Sequence, residues 1–405
     1  MKQSVVILCA GGPAPGINTV VASVSKVFLK HGFNVIGLKG GYKSLFTDEV
    51  DFINIDYTFA EDIYSRGGSA LKMSRYKPKD SEFKTDFFEK HNVKILVTVG
   101  GDDTASTANR ISKFLAEKKL HVQNIHVPKT IDNDLPLQEG IPTFGYQTAK
   151  EEGSRIALTI NEDARTNGTW FVCCAMGREA GHLAFGIGTA CHLPMIIIPE
   201  MFEKTEVTFS KIIDLMISSI IKRKLLGIDY GVIMISEGVF HFISDEEINK
   251  SGIHFTYDEH GHPELGALSK SHIFDQLLQK KLKALDIKVK SRPNEMGYEL
   301  RCVRPIAYDL VYCTILGAGV FKLFKEGKTG CMVTLNKDQQ IVPLYLNDVQ
   351  DEKGKVKPRL VNMQSDKIKI ILENNLHFIS AEDYSAAGKI VQNPEEFDFL
   401  KILNM

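Results

Sequence analysis

Val5-Val6-Ile7-Leu8-Cys9-Ala10-Gly11-Gly12-Pro13-Ala14-Pro15-Gly16-Ile17-Asn18 decides how the first part of this chain folds. Six apolar residues in a row, without alternation, are the pattern of a strand buried on both faces of a parallel sheet. The glycine-rich stretch that follows ends the strand. Val20, Val21, Val24, Val27 and Phe28 then recur at helical spacing, and Gly32 is a stop for that helix. Phe33 to Leu38 gives a second strand. Strand, glycine loop, helix and strand make a βαβ unit, whose consequence is a parallel sheet.

The same grammar returns further on. Lys94 to Val99 is an apolar strand running into Gly100-Gly101-Asp102-Asp103-Thr104, followed by a helix whose inward face is Ala105, Ala108, Ile111, Phe114 and Leu115. In open α/β sheets ligands gather at the carboxyl ends of strands, so both glycine loops are expected to border one crevice. Trp170 to Ala175, Met195 to Ile198 and Gly231 to Ile235 read as strands of a second α/β lobe, with an amphipathic helix from about Phe209 to Leu226. Past Gly330 the texture changes to short strands and charged turns. The expected class is therefore α/β, with two Rossmann-like lobes of mostly parallel sheet and a small C-terminal extension. Residues 1–146, completed by about 300–325, form the first lobe, residues 147–299 the second, and 326–405 the extension, in which no residue suggests chemistry.

Composition limits the partners. A formal net charge of −1 over 405 residues leaves no excess to hold a nucleic acid or an anionic membrane, so a bound anion must be gripped locally. Seven cysteines without CxxC spacing read as buried free thiols of a reducing compartment. The longest apolar stretches, such as Leu193 to Pro199, are too short to cross a bilayer, and no leader pattern opens the chain. A cytoplasmic protein without membrane attachment is expected.

Three loops carry chemistry. Gly11, Gly12 and Gly16 would let backbone N–H groups approach phosphate oxygens at a helix N-terminus; a tight structural turn explains them equally well. Asp102, beside two glycines at a strand end, suits Mg²⁺ held against a phosphate, while Asp103 or Thr104 could cap the helix. Densest is Pro128-Lys129-Thr130-Ile131-Asp132-Asn133-Asp134, where one carboxylate can take a hydroxyl proton and the other coordinate metal. The bland alternative there is an Asx-turn. Neither GxGxxG nor Walker A is present, which leaves an NAD-dependent oxidoreductase with little support.

The three loops in this order, GGxAPGxN, GGD and TIDND, resemble the signature of the phosphofructokinase family. The resemblance runs through Arg66-Gly67-Gly68 with Arg75, Met176-Gly177-Arg178 and Ser236-Glu237-Gly238, over residues 1 to 325. It implies the phosphofructokinase fold and phosphoryl transfer to a sugar phosphate. By this resemblance Asp132 is the general base for the sugar's 1-hydroxyl, Thr130 holds the substrate near it, and Asp102 with Asp134 organise Mg²⁺. Gly11, Gly12, Arg75, Asp103 and Thr104 fall on the donor side, with Arg178 and Lys129 neutralising the transferring group. Met176, Gly177 and Glu237 correspond to sugar contacts; Arg301 and Tyr298 fall to the 6-phosphate. Each arginine has a surface ion pair as its plainer fate.

The family's ATP-using branch typically has glycine after GGD and before the TIDND threonine. Asp103 and Lys129 stand there instead. A carboxylate at 103 repels a nucleotide α-phosphate and an ammonium at 129 suits the free end of pyrophosphate. GGDD with PKTIDND resembles the pyrophosphate-dependent branch, which implies pyrophosphate and fructose 6-phosphate as partners and a homodimer or homotetramer. An ATP-dependent 6-phosphofructokinase and a non-catalytic sugar-phosphate-binding subunit are the alternatives. NAD and diacylglycerol kinases share a GGDG-like loop but not this combination. Two departures touch the 6-phosphate: Thr169 stands nine residues before Arg178, where many relatives have arginine, with Arg165 nearby as a substitute. The HIQRGG-type segment is replaced by Glu299-Leu300-Arg301-Cys302-Val303-Arg304-Pro305.

Overall fold

In the computed structural model, which describes residues 2–250 and 269–405, the apolar runs become strands. In chain order these are β1 (Ser4–Cys9), β2 (Asn34–Leu38), β3 (Phe52–Asn54), β4 (Val93–Gly100), β5 (Gln123–Thr130), β6 (Phe144–Gly145), β7 (Trp170–Ala175), β8 (Met195–Ile197), β9 (Gly231–Ser236), β10 (Ser291–Met296), β11 (Cys331–Leu335) and β12 (Ile341–Tyr345). They belong to two units, Met1–Ala149 with Tyr298–Arg359, and Lys150–Gly297 with Leu360–Met405.

The first unit carries a sheet in the order β12-β11-β5-β4-β1-β2-β3, with β6 alongside β5. From β11 to β2 the pairs are parallel, and only the edges, β12 and β3, run antiparallel. Burial on both faces explains why β1 reads as continuous apolar sequence. Val5, Ile7 and Cys9 pack beneath the helices Ile17–Lys30 and Ala307–Lys325, while Val6, Leu8 and Ala10 face a second cluster with Phe87, Phe88, Ile111 and Leu115. Because β1, β4 and β5 are parallel neighbours, Gly11, Gly101 and Ile131 all emerge at one edge. Asp309 fixes the nearby chain, its buried carboxylate accepting the N–H groups of Gly145 at 2.9 Å and Thr148 at 2.8 Å.

Helix Ala307–Lys325 is the one element among the described residues long and apolar enough to cross a bilayer, contrary to the sequence expectation that no stretch is. Its apolar character has another cause here. It lies on helix Ile17–Lys30, where Ser23 Oγ donates to Thr314 O at 2.8 Å, and a Cβ on Gly317 would sit 2.6 Å from Ser23 Cβ. Gly16 lies at the same contact with φ 100°, and a Cβ there would fall 2.5 Å from Cys313 Sγ. Gly16→Ala therefore combines a left-handed alanine with overpacking and should destabilise the protein by at least about 2 kcal/mol, read as a lower midpoint in a thermal melt. An unchanged midpoint would show that this contact is slack.

Residues 326–405 do not form one appended element. β11 pairs β5 through Cys331↔Ile125 and Met332↔His126, extending the first unit's sheet, because its five residues are all buried and need a neighbour on each side. Leu360–Met405 packs with the second unit instead: Lys222 pairs with Asp383 at 2.7 Å and His377 N–H donates to Pro194 O at 2.8 Å.

The second unit holds a parallel sheet in the order β10-β7-β9-β8. β10, Ser291-Arg292-Pro293-Asn294-Glu295-Met296, escapes an apolar search because it is an edge strand, the place where a proline and polar side chains are tolerated. β7 and β9 end side by side, Ala175 opposite Ser236, so Met176-Gly177-Arg178 and Glu237-Gly238 leave the sheet together.

Candidate active site

In the first unit the three loops do converge. Gly11 has φ 85° and donates its N–H to Ser74 O at 2.9 Å. A Cβ on it would lie 3.6 Å from Thr104 Oγ1 and 3.9 Å from Lys129 Nζ. One on Gly12 would lie 3.7 Å from the Arg301 guanidinium carbon and 3.8 Å from Arg75 Nη2. Lys129, Arg75 and Arg301 thus gather around two glycines, where bare backbone admits an anion. Lys129 is 6% exposed. Burial lowers its ammonium to about 8; Asp132, Asp134 and Asp102 oppose that shift, and Arg301 adds to it.

The segment read as a loop is partly strand: Pro128, Lys129 and Thr130 end β5 and only then does the chain turn. Asn133 sits at φ 57°. Asp132 is partly exposed and donates its N–H to Thr130 Oγ1 at 3.0 Å. Asp134 faces inward. Burial and the neighbouring Asp102 push its carboxyl above the usual range, against a hydrogen bond from Thr130 and the charge of Lys129. Two carboxylates near enough for one to raise the other's pKa fit a divalent cation. Among the described residues no group of three or more His, Cys, Asp or Glu could form a cage. Mg²⁺ in phosphoryl-transfer sites needs none, since it takes one or two carboxylates and fills its remaining positions with phosphate and water.

Beneath the Gly100-Gly101-Asp102 turn lies a residue the sequence reading missed. His126 is fully buried in β5, and its Nε2 must donate to Gly100 O at 3.0 Å because a carbonyl can only accept. Nδ1 then accepts from Thr98 Oγ1 at 2.9 Å. Burial lowers its pKa to about 3, so the ring is neutral. A histidine inside an apolar strand was the available signal. Asn18 also finds a job: Nδ2 donates to Arg66 O and Gly67 O at 3.1 Å, and Oδ1 accepts from Ala70 N at 2.8 Å. Gly67 is pressed on Cys302, whose carbonyl oxygen would stand 2.0 Å from an added Cβ.

Other expected residues sit further out. Asp103 is half exposed and pairs with Lys77 at 2.7 Å, so its negative charge is partly spent on a neighbour. Thr104 is buried, and its carbonyl accepts from Tyr42 Oη at 2.9 Å. Tyr298 is 75% exposed, its ring 5.0 Å from the Arg301 guanidinium. Arg301 itself lies against the Gly12 loop. Arg359, from the segment in which the sequence suggested no chemistry, donates to Asn133 O at 3.0 Å.

In the second unit Gly177 has φ 136° and donates its N–H to Glu237 Oε1 at 3.3 Å, while Ser236 Oγ donates to Gly177 O at 3.0 Å. Met176 packs on Gly297, where an added Cβ would stand 2.8 Å from Cε. Arg178 is exposed. Glu237 Oε2 lies 3.4 Å from Lys270 Nζ, both side chains largely buried, and this lysine was not foreseen. Thr169 is buried with no partner for its hydroxyl among the described residues, and Arg165 pairs on the surface with Glu162.

The phosphofructokinase family model matches residues 4–324. The chain belongs to the phosphofructokinase family. Among relatives, the pyrophosphate–fructose 6-phosphate 1-phosphotransferase of Naegleria fowleri is 37% identical over 378 residues, 90% of this chain and 86% of its own. That of Thermotoga maritima is 36% identical over 381 residues, 91% and 90% of the two chains. The solved pyrophosphate-dependent phosphofructokinase of Nitrosospira multiformis superposes with a TM-score of 0.72 at 17% identity, covering 96% of this chain and 92% of that one. The phosphofructokinase fold expected from the three loops is therefore the fold observed.

Proposed function

We propose that this chain transfers a phosphoryl group from pyrophosphate to the 1-hydroxyl of fructose 6-phosphate, giving fructose 1,6-bisphosphate and phosphate, and runs in both directions. The observation that carries the reading is the buried Lys129 ammonium beside Gly11, with Arg75 and Arg301 at Gly12 and Asp102 with Asp134 adjoining. The names of the relatives at 36–37% identity support the same donor and acceptor.

Asp132 accepts the proton of the 1-hydroxyl as that oxygen bonds to phosphorus; the bond from phosphorus to the bridging oxygen breaks, and its electron pair leaves on phosphate. Thr130 shapes this turn by accepting the Asp132 N–H. Lys129 and the backbone of Gly11 and Gly12, with Thr104 behind them, hold the donor. Arg75, Arg178 and Arg301 offset charge on the moving group. Mg²⁺ held by Asp102 and Asp134 would draw charge from the phosphate oxygens. Asp103, at the rim, completes the exclusion of a nucleotide. We assign Met176, Gly177 and Glu237 of the second unit to the sugar, and Tyr298 to its phosphate. A homodimer or homotetramer in the cytoplasm is the setting this reading implies.

A coupled assay offering pyrophosphate or ATP with fructose 6-phosphate and Mg²⁺ tests it. Turnover with pyrophosphate alone is expected. Turnover with ATP alone would overturn the donor assignment, and sugar binding without turnover would leave a binding subunit. Lys270→Met strips the buried Glu237 carboxylate of its partner and should raise KM for fructose 6-phosphate roughly tenfold with a smaller change in KM for pyrophosphate. Equal effects on both substrates would take Lys270 out of sugar binding.

A further inference from the structure

We infer that Arg359 is a positioning residue for the turn Asp132-Asn133-Asp134, an inference that rests on the phosphoryl-transfer reading above. Arg359 lies beyond the residues matched by the family model. Its Nε and Nη2 donate to Asn133 O at 3.2 and 3.0 Å, Nη2 also reaches Asn133 Oδ1, and Nη1 donates to Ile141 O at 2.8 Å. Its own backbone N–H donates to Asp134 O at 2.6 Å. One residue from 226 positions away thus ties Asn133 through its guanidinium and Asp134 through its backbone N–H.

The turn depends on such ties. Asn133 holds a left-handed φ of 57°, a region asparagine enters more readily than other L residues, and the bonds to its carbonyl and side chain hold it there. Asp132 and Asp134 flank Asn133, both partly buried, and the Asp134 carboxyl feels the charge of Asp102. Thr143 contributes the other ties, its N–H to Asn133 Oδ1 at 3.0 Å and its hydroxyl to Thr130 O at 2.9 Å. A planar guanidinium is suited to this work because it offers five donors in a fixed fork; a lysine ammonium cannot reach the same set of carbonyls. Arg359 sets the angle between base and metal ligands without touching either substrate.

Arg359→Ala and Arg359→Lys are compared with the parent enzyme for kcat, both KM values, thermal midpoint and Mn²⁺ binding by electron paramagnetic resonance without substrate. Arg359→Ala should lose roughly 10- to 100-fold in kcat per folded molecule and weaken Mn²⁺ binding similarly, with KM for fructose 6-phosphate changed far less. Added guanidinium ion should restore part of the kcat, and Arg359→Lys should recover little. Parental kcat and Mn²⁺ affinity in Arg359→Ala, or a loss matched by the unfolded fraction and untouched by guanidinium, would overturn the role. Absence of pyrophosphate turnover in the parent enzyme would instead refute the functional reading, and the Mn²⁺ measurement would still decide the role of Arg359.

Discussion

Asp132→Asn should lower kcat by roughly 10³-fold while KM for fructose 6-phosphate changes by less than about threefold, because the amide keeps the shape and loses the proton acceptor. The turn itself should survive: the Asp132 N–H bond to Thr130 Oγ1 and the ties on Asn133 do not involve the altered carboxylate. Asp132 is also one of the charges that keep Lys129 protonated in its buried place, so a small rise in KM for pyrophosphate is expected as well. Steady-state kinetics in both directions checks this, and the reverse reaction should suffer equally. A variant that retains parental kcat would remove Asp132 from proton transfer and move the search for a base elsewhere.

How much of this was readable beforehand follows from which forces write themselves locally. The βαβ opening was legible since both faces of β1 are buried and its residues cannot hide that. The glycine loops were legible because a sharp exit from a strand into a helix favours glycine, and Gly11 takes a left-handed φ of 85°. Lone cations were not. Lys270 and Arg359 each have a surface fate by default, and only the fold brings Arg359 to Asn133 or Lys270 to Glu237. Asp103 has a partner that no motif announces: Lys77 pairs with it at 2.7 Å on the exposed surface. The extension was misjudged because β11 looks like any short apolar strand until β5 is seen to lack a neighbour on that side.

Lys129→Met should reduce kcat/KM for pyrophosphate by roughly 10²- to 10³-fold, the usual loss when one preorganised charge facing a phosphate is removed. Methionine fills the same buried space, so packing is largely kept and the effect reports charge. The variant also leaves Asp102 and Asp134 without a nearby ammonium, so a lower Mg²⁺ demand is expected alongside the weaker hold on pyrophosphate. Measuring kcat/KM at several Mg²⁺ concentrations separates these. Asp103 is exposed and paired with Lys77 at 2.7 Å, so removing its charge should matter less to the rejection of ATP than removing the buried Lys129. Lys129→Gly is therefore expected to admit ATP more than Asp103→Gly does, and ATP turnover gained at position 103 alone would reverse that ranking.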